Sequence, residues 1–432
     1  MSETRDEVSV RIDNILLELP SSRCKPSIFR VNNDIRYTNE KLYVPKVISI
    51  GPFHHGKDHL RDMEQHKFRY LKLLLKRRNE SSVDKYVMAM RSLEQKARKC
   101  YAGPVEFSPE DFVQMLLLDG CFIVELIRKY GMDEWRESDD IVFQYEQVLS
   151  QLRHDLMLVE NQVPFFVVDQ LFSMTRTGNP DDHILFLMQL FIGDISPWPE
   201  ASEMTGNISV KNVDHLLGLV YTIWCSSFAK ITANRPIEIL EEEHKMVAIN
   251  SATELQEAGI KLEQDTESNC LDIKFIKGVI RIPGLNVSDE TESIFRNIMA
   301  YEHFLIDKNQ SKYVTDYAFF LHCLINSSND VEILRRHGIL TNLLGDDEMV
   351  YHMFNRLGTN ILMSPHFCYA DVYKKVNEYY GRRWNKWMAN LRRNYFNTPW
   401  AYISFFAALI LLSFTFIQTV FTVLSYVNPK TK

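Results

Sequence analysis

Apolar positions along this chain recur mostly at helical spacing and alternate strictly in only one short stretch. Met63, Phe68, Leu71, Leu74 and Leu75 predict a helix beginning near Leu60 with those side chains inward. Ser108, Pro109, Glu110 and Asp111 form a helix start: a serine N-cap, proline at the first position and acids in the first turn. Residues 112–127 behind it are so nearly apolar that both helix faces are expected inside. Residues 144–172 carry a helical pattern that Pro164 must kink or divide. Further helices are predicted over 213–231, from Ser288-Asp289-Glu290-Thr291 onward, and over 313–325, 331–336 and 347–357, with Gly338 as a stop signal. Residues 46–50, between Pro45 and Gly51-Pro52, read as a short strand. Residues 271–276 and 279–282 alternate around Lys277-Gly278 and predict a small hairpin. Residues 241–264 are polar, 263–269 suit a loop, and residues 1–25 read as a flexible arm. The fold class expected is mainly α: a large helical soluble domain over 26–395 with a few short strands.

The last apolar run differs in kind. Residues 400–427 contain no charged side chain, more than the roughly 20 residues that span a hydrocarbon core. Twelve Phe, Leu, Ile or Val lie within 405–423; together they favour insertion by about 4 to 7 kcal/mol, opposed by Gln418 and the hydroxyl residues. Trp400, Tyr402 and Tyr426 stand where an aromatic belt belongs. One transmembrane helix with a short tail over 428–432 is therefore expected, with the lipid bilayer as partner. Thr415, Gln418, Thr419, Thr422 and Tyr426 form a polar face on it. That face either bonds a second copy of the helix or leaves each threonine satisfied by its own backbone.

Charge sets the expected orientation. Lys374, Lys375, Arg382, Arg383, Lys386, Arg392 and Arg393 precede the span, and only Lys430 and Lys432 follow it. The positive-inside rule then places the bulk in the cytosol, tail-anchored in the plasma membrane or an endomembrane. Five Asn-x-Ser sequons, at Asn79, Asn207, Asn286, Asn309 and Asn326, argue the other way. The helix predicted over 371–395 aligns Val376, Tyr380, Trp384, Trp387, Leu391 and Tyr395; this stripe lies either on the membrane surface or on the globular body.

Composition narrows the chemistry. With 432 residues, 46% hydrophobic, disorder is not the main state. A net charge of -7 gives no global attraction for nucleic acid. The seven cysteines (Cys24, Cys100, Cys121, Cys225, Cys270, Cys323, Cys368) are scattered and never in a Cys-x-x-Cys pair, which fits free thiols. Gly51-Pro52-Phe53-His54-His55-Gly56-Lys57-Asp58 has the spacing of a phosphate-binding loop, and residues 165–169, ending at Asp169, could serve as its metal-holding strand. However, Asp58 stands where a hydroxyl should be, Pro52 removes an amide, and the interior is bulky. His54, His55, His59 and His66, with Asp58 and Glu64, form the one histidine cluster, with tolerable metal spacing between His55 and His59. Asp155, Glu160, Asn161 and Gln162 precede Pro164 and, if buried, must be hydrogen-bonded. The histidines have no cysteine or distant clustered partner, and no nucleophile or oxyanion donor accompanies the second group, so no catalytic residue, cofactor or metal is assigned.

The strings themselves are familiar. Ser49-Ile50-Gly51-Pro52-Phe53-His54-His55-Gly56, Met63-Glu64-Gln65-His66-Lys67 and Glu160-Asn161-Gln162-Val163-Pro164-Phe165-Phe166 resemble the plant-specific "domain of unknown function 247" family. So do Ser251-Ala252-Thr253-Glu254-Leu255, Asp289-Glu290-Thr291-Glu292-Ser293 and Phe396-Asn397-Thr398-Pro399-Trp400. The resemblance runs from about Cys24 to Val427 in family order. It implies a membrane-associated plant protein without established activity, cofactor or catalytic residue. Some grass members are associated with pollen-side self-incompatibility recognition, which favours recognition or scaffolding in signalling and an outward-facing body. The competing class is a membrane-associated enzyme with a site near residues 54–66 or 155–162.

Overall fold

The computed structural model describes residues 6–18, 26–32, 36, 39–199, 213–233, 249–267, 269–305, 311–359, 361, 366–381 and 399–427. Helix α1 (Glu7–Glu18) lies within the expected flexible arm, its first turn held by the Asp6 carboxylate, which accepts from the Val8 and Ser9 amides at 2.8 and 3.3 Å. The first half of the body comprises α2 (Arg61–Arg77), α3 (Asp84–Arg98), α4 (Pro109–Gly131), α5 (Glu146–Leu156), α6 (Phe165–Met174) and α7 (Ile184–Gly193). Helix α4 is its axis, packed by α2, α3, α6 and α7. The Ser108 hydroxyl accepts from the Asp111 amide at its start, as the capping signal predicts. Pro164 divides the 144–172 pattern: α5 ends at Leu156, and α6 begins immediately after the proline.

The second half comprises α8 (Leu216–Ala233), α9 (Ala252–Glu257), β1 (Lys261–Asp265), β2 (Lys274–Ile276), β3 (Val279–Pro283), β4 (Leu285–Val287), α10 (Thr291–Leu305), α11 (Tyr313–Leu324), α12 (Ser328–Arg336), β5 (Leu340–Asn342), α13 (Asp347–Leu357) and α14 (Ala370–Gly381). The hairpin is present: β2 and β3 pair antiparallel, and Lys277 and Gly278 take φ of 51° and 84° between them. Strand β1 joins β3 in parallel, and β4 pairs in parallel with β5. One continuous core runs from Ile28 to Val376. Leu42 ties the halves together, its carbonyl accepting from Ser293 and Asn297 of α10, both at 2.9 Å.

Several local expectations are corrected. Residues 46–50 form no strand and bend at 46 and 47, because side chains take their backbone bonds. Part of the expected loop over 263–269 is strand β1, whose Leu262 is buried against the hairpin. Phe68 is 52% exposed: the inward line of α2 runs through Met63, Lys67, Tyr70, Leu71 and Leu74, so a lysine holds the core position. Residues 165–169 are helix rather than a metal-holding strand. In α14, Val376 of the predicted stripe is buried on the body and Tyr380 is half-buried against it, alongside the buried Val372 and Tyr373. The rest of that predicted stripe (Trp384, Trp387, Leu391, Tyr395) lies outside the described residues, as do five of the seven basic residues, Lys430, Lys432, Cys24, Asn207 and Asn309. Helix α15 (Pro399–Val427) closes the described chain; its Tyr402–Leu424 stretch is long and apolar enough to cross a membrane, and none of it is buried.

Candidate functional site

The three strings that stand out in the first half of the sequence meet in space. Segment 46–51 has no neighbouring strand, so its amides must find other acceptors if they are buried. Asp155, at the end of α5, accepts from Lys46, Val47 and Ile48 at 2.7 to 3.1 Å. The Asn161 side chain continues the row, accepting from the Ile50 amide at 2.7 Å and donating to the Ile48 carbonyl at 3.1 Å. Asp119, from the middle of α4, accepts from the Gly51 amide at 2.8 Å. Side chains thus take the amides of Lys46, Val47, Ile48, Ile50 and Gly51 in place of a partner strand.

The opposite side is held by Lys67. Its ammonium donates to the Ser49 carbonyl, Glu64 and Asp119, each at 2.6 Å. Burial alone would lower its pKa, but Asp119 and Glu64 outweigh that and raise it, so the lysine stays charged. The Ser49 hydroxyl donates to Glu64 at 2.9 Å. The Gln162 amide donates to the Leu156 and Leu158 carbonyls at 2.7 and 2.8 Å. Gln162 therefore satisfies carbonyls at and just beyond the end of α5, rather than the Glu160 carbonyl that a helical bond from residue 164 would have used.

Glu160 anchors the remaining corner. It accepts from the Val31 amide at 2.8 Å and from Arg36 at 3.2 Å, and its second oxygen lies 3.3 Å from His54 Nε2. That contact is close enough to attract but not aligned as a hydrogen bond. Burial pushes Glu160 up, yet His54, the Val31 amide and Arg36 together hold its pKa below the usual value. Burial lowers the pKa of His54, which keeps it neutral near pH 7.

The other histidines part from it. His55 is exposed, its ring edge-on to Phe107 at 5.3 Å. His59 is exposed, with Nε2 3.2 Å from the Pro45 carbonyl, and His66 is half-buried on α2. Among the described residues no three His, Cys, Asp or Glu are placed to hold a metal ion. The apparent phosphate loop is closed by protein. The Gly51 amide is committed to Asp119, and a Cβ at Gly51, where φ is 76°, would sit 2.2 Å from the Gln162 carbonyl oxygen. These residues join the segment 46–51 to helices α2, α4 and α5, and their polar atoms are largely used on one another. Asp119 carried a readable signal: a carboxylate inside a helix buried on every face must have a partner. Arg36 carried none.

A second set of buried acids lies in the other half. Glu302 accepts from the Val314 and Thr315 amides at 2.9 and 2.8 Å, capping α11 from outside, and burial raises its pKa to about 7. Asp316 accepts from the Cys368 amide at 2.8 Å, leaves one oxygen unbonded, and is raised by burial to about 8. The six described cysteines are free thiols.

The model of a plant protein family of unknown function, DUF247, matches residues 28–414. A UPF0481 protein of Arabidopsis thaliana is 32% identical over 424 residues, 93% of this chain and 87% of that protein. A putative UPF0481 protein of the same plant is 22% identical over 504 residues, 96% of this chain and 94% of that protein. No solved structure matches.

Proposed function

This chain belongs to that plant family of unknown function, and since membership brings no activity with it, we propose that it is a membrane-tethered recognition or scaffolding module in signalling. The observation that carries the tether is the bareness of α15: its Tyr402–Leu424 stretch has a mean hydropathy of 2.1 and no buried residue. Water is a poor solvent for such a surface, and the hydrocarbon core of a bilayer matches its length. The basic residues ahead of it favour a cytosolic body. Self-association through the polar face of α15 belongs to the same proposal and rests on Gln418, because Thr415, Thr419 and Thr422 each donate to a carbonyl four residues back at 2.8 Å.

Recognition is favoured over catalysis by how the site residues are used. An enzymatic reading needs His54 or Asp155 to reach a substrate; His54 is 1% exposed, and Asp155 is wholly buried beneath three backbone amides. Sidedness is tested with an N-terminal tag in sealed microsomes. A cytosolic body predicts a tag open to protease and unmodified Asn79 and Asn326. Both asparagines are exposed, so sugar on them with a protected tag would overturn the orientation.

A further inference from the structure

A cavity of about 240 Å³ lies between the end of α5, the segment after α7 and the start of α10. Its floor is apolar, from Met157, Ile195 and Ile294, and the exposed Leu343 stands in its wall. Ser150, Asn286, Ser288 and Thr291 add hydroxyl and amide groups. His154 forms part of the wall although only 5% exposed, and its Nδ1 has no hydrogen-bond partner. That nitrogen lies 3.7 Å from Asp155 Oδ1. Asp194, an exposed carboxylate, receives Tyr130 and Arg153 on one oxygen, and Glu290, half-buried in the same lining, makes no ion pair among the described residues.

A lining of hydroxyl, amide and carboxylate groups beside apolar side chains matches a particular kind of guest. We propose that this cavity binds a small organic cation, a primary ammonium on a short apolar stem, with the ammonium at Glu290 and the stem against Met157 and Ile294. The volume equals that of about eight liquid waters, enough for a stem of several carbons. A neutral alcohol of the same shape lacks the charge that Glu290 would recognise. The site is independent of the membrane tether.

The test is titration of the detergent-held full chain with butylammonium, followed by calorimetry and thermal shift, with n-butanol and glucose as neutral controls. Saturable binding of butylammonium alone is expected. Glu290→Gln should weaken it by about tenfold or more, as loss of a charged hydrogen bond does. Leu343→Trp, at an exposed position, should weaken binding by filling the mouth while the fold melts as before. Binding that is unchanged in both variants, equal binding of n-butanol, or no binding at millimolar butylammonium would overturn the proposal.

Discussion

Helix α8 and the Tyr402–Leu424 stretch of α15 are both long and apolar enough to cross a membrane, with mean hydropathies of 1.3 and 2.1. Half of α8 is nevertheless buried in the body, and none of the α15 stretch is. Around α8 the fold supplies specific partners: Trp224 meets Trp198 edge-on at 5.3 Å, Phe228 stacks with Tyr369 at 5.8 Å, and Gln162 caps the helix start by accepting from Leu217. No residue of the Tyr402–Leu424 stretch is buried in that way. Hydropathy therefore says only that a helix leaves water; the packing partner decides whether protein or lipid receives it.

The largest effects that would break this comparison come from the body. Trp224→Ala removes a fully buried indole and should cost about 3 to 5 kcal/mol of stability. The melting midpoint should fall while partition between membrane and soluble fractions stays as it was. Lys67→Met should cost a similar amount, about 3 to 5 kcal/mol, because Asp119 would remain buried beside Glu64 without its cation. The double change Lys67→Met with Asp119→Leu should recover much of that loss in urea denaturation.

The converse change in α15 should leave the body alone. Leu412→Arg, at a position 70% exposed, should raise the cost of membrane insertion by about 3 kcal/mol and shift the protein toward the soluble fraction, with an unchanged melt of the body.

A smaller effect separates the two sets of buried acids. Asp155 and Asp119 are held by backbone amides and a lysine, but Glu302 and Asp316 have no cation among their bonds. With folded values of about 7 and 8 against an unfolded value near 4, the native state holds protons that the unfolded chain has lost. Stability from these acids therefore falls as pH rises through that interval. Burial lowers His215 to about 4, and its opposing contribution ends near pH 6.5. The urea midpoint should drop between pH 6.5 and 8, and Asp316→Asn should flatten the drop. The smallest effect is on α15 itself: Gln418→Leu should reduce crosslinked dimer by a contact worth about 1 kcal/mol, and Thr422→Leu should leave it unchanged.

Much of this was legible because it is local. The Ser108 cap, the break at Pro164, the Lys277-Gly278 turn and the terminal apolar run each depend on neighbours within a few residues. What escaped is long-range. Segment 46–50 looks like a strand because its apolar residues are inside, yet its bonding partner is Asp155, 107 to 109 residues away. Lys67 replaces Phe68 on the inner face because Asp119 and Glu64 reward a charge there, and no helical periodicity contains that fact. The histidines illustrate the same limit. They are adjacent in sequence, but only His54 turns inward to Glu160, since the turn at Gly56 carries His59 to the surface.

The most direct test of the proposed tether compares the full chain with one ending at residue 398, by flotation on a density gradient after alkaline carbonate washing. The account predicts that the full chain floats with membranes and that the shortened protein stays at the bottom, folded, with the same melting midpoint. A shortened protein that floats as the full chain does would contradict it.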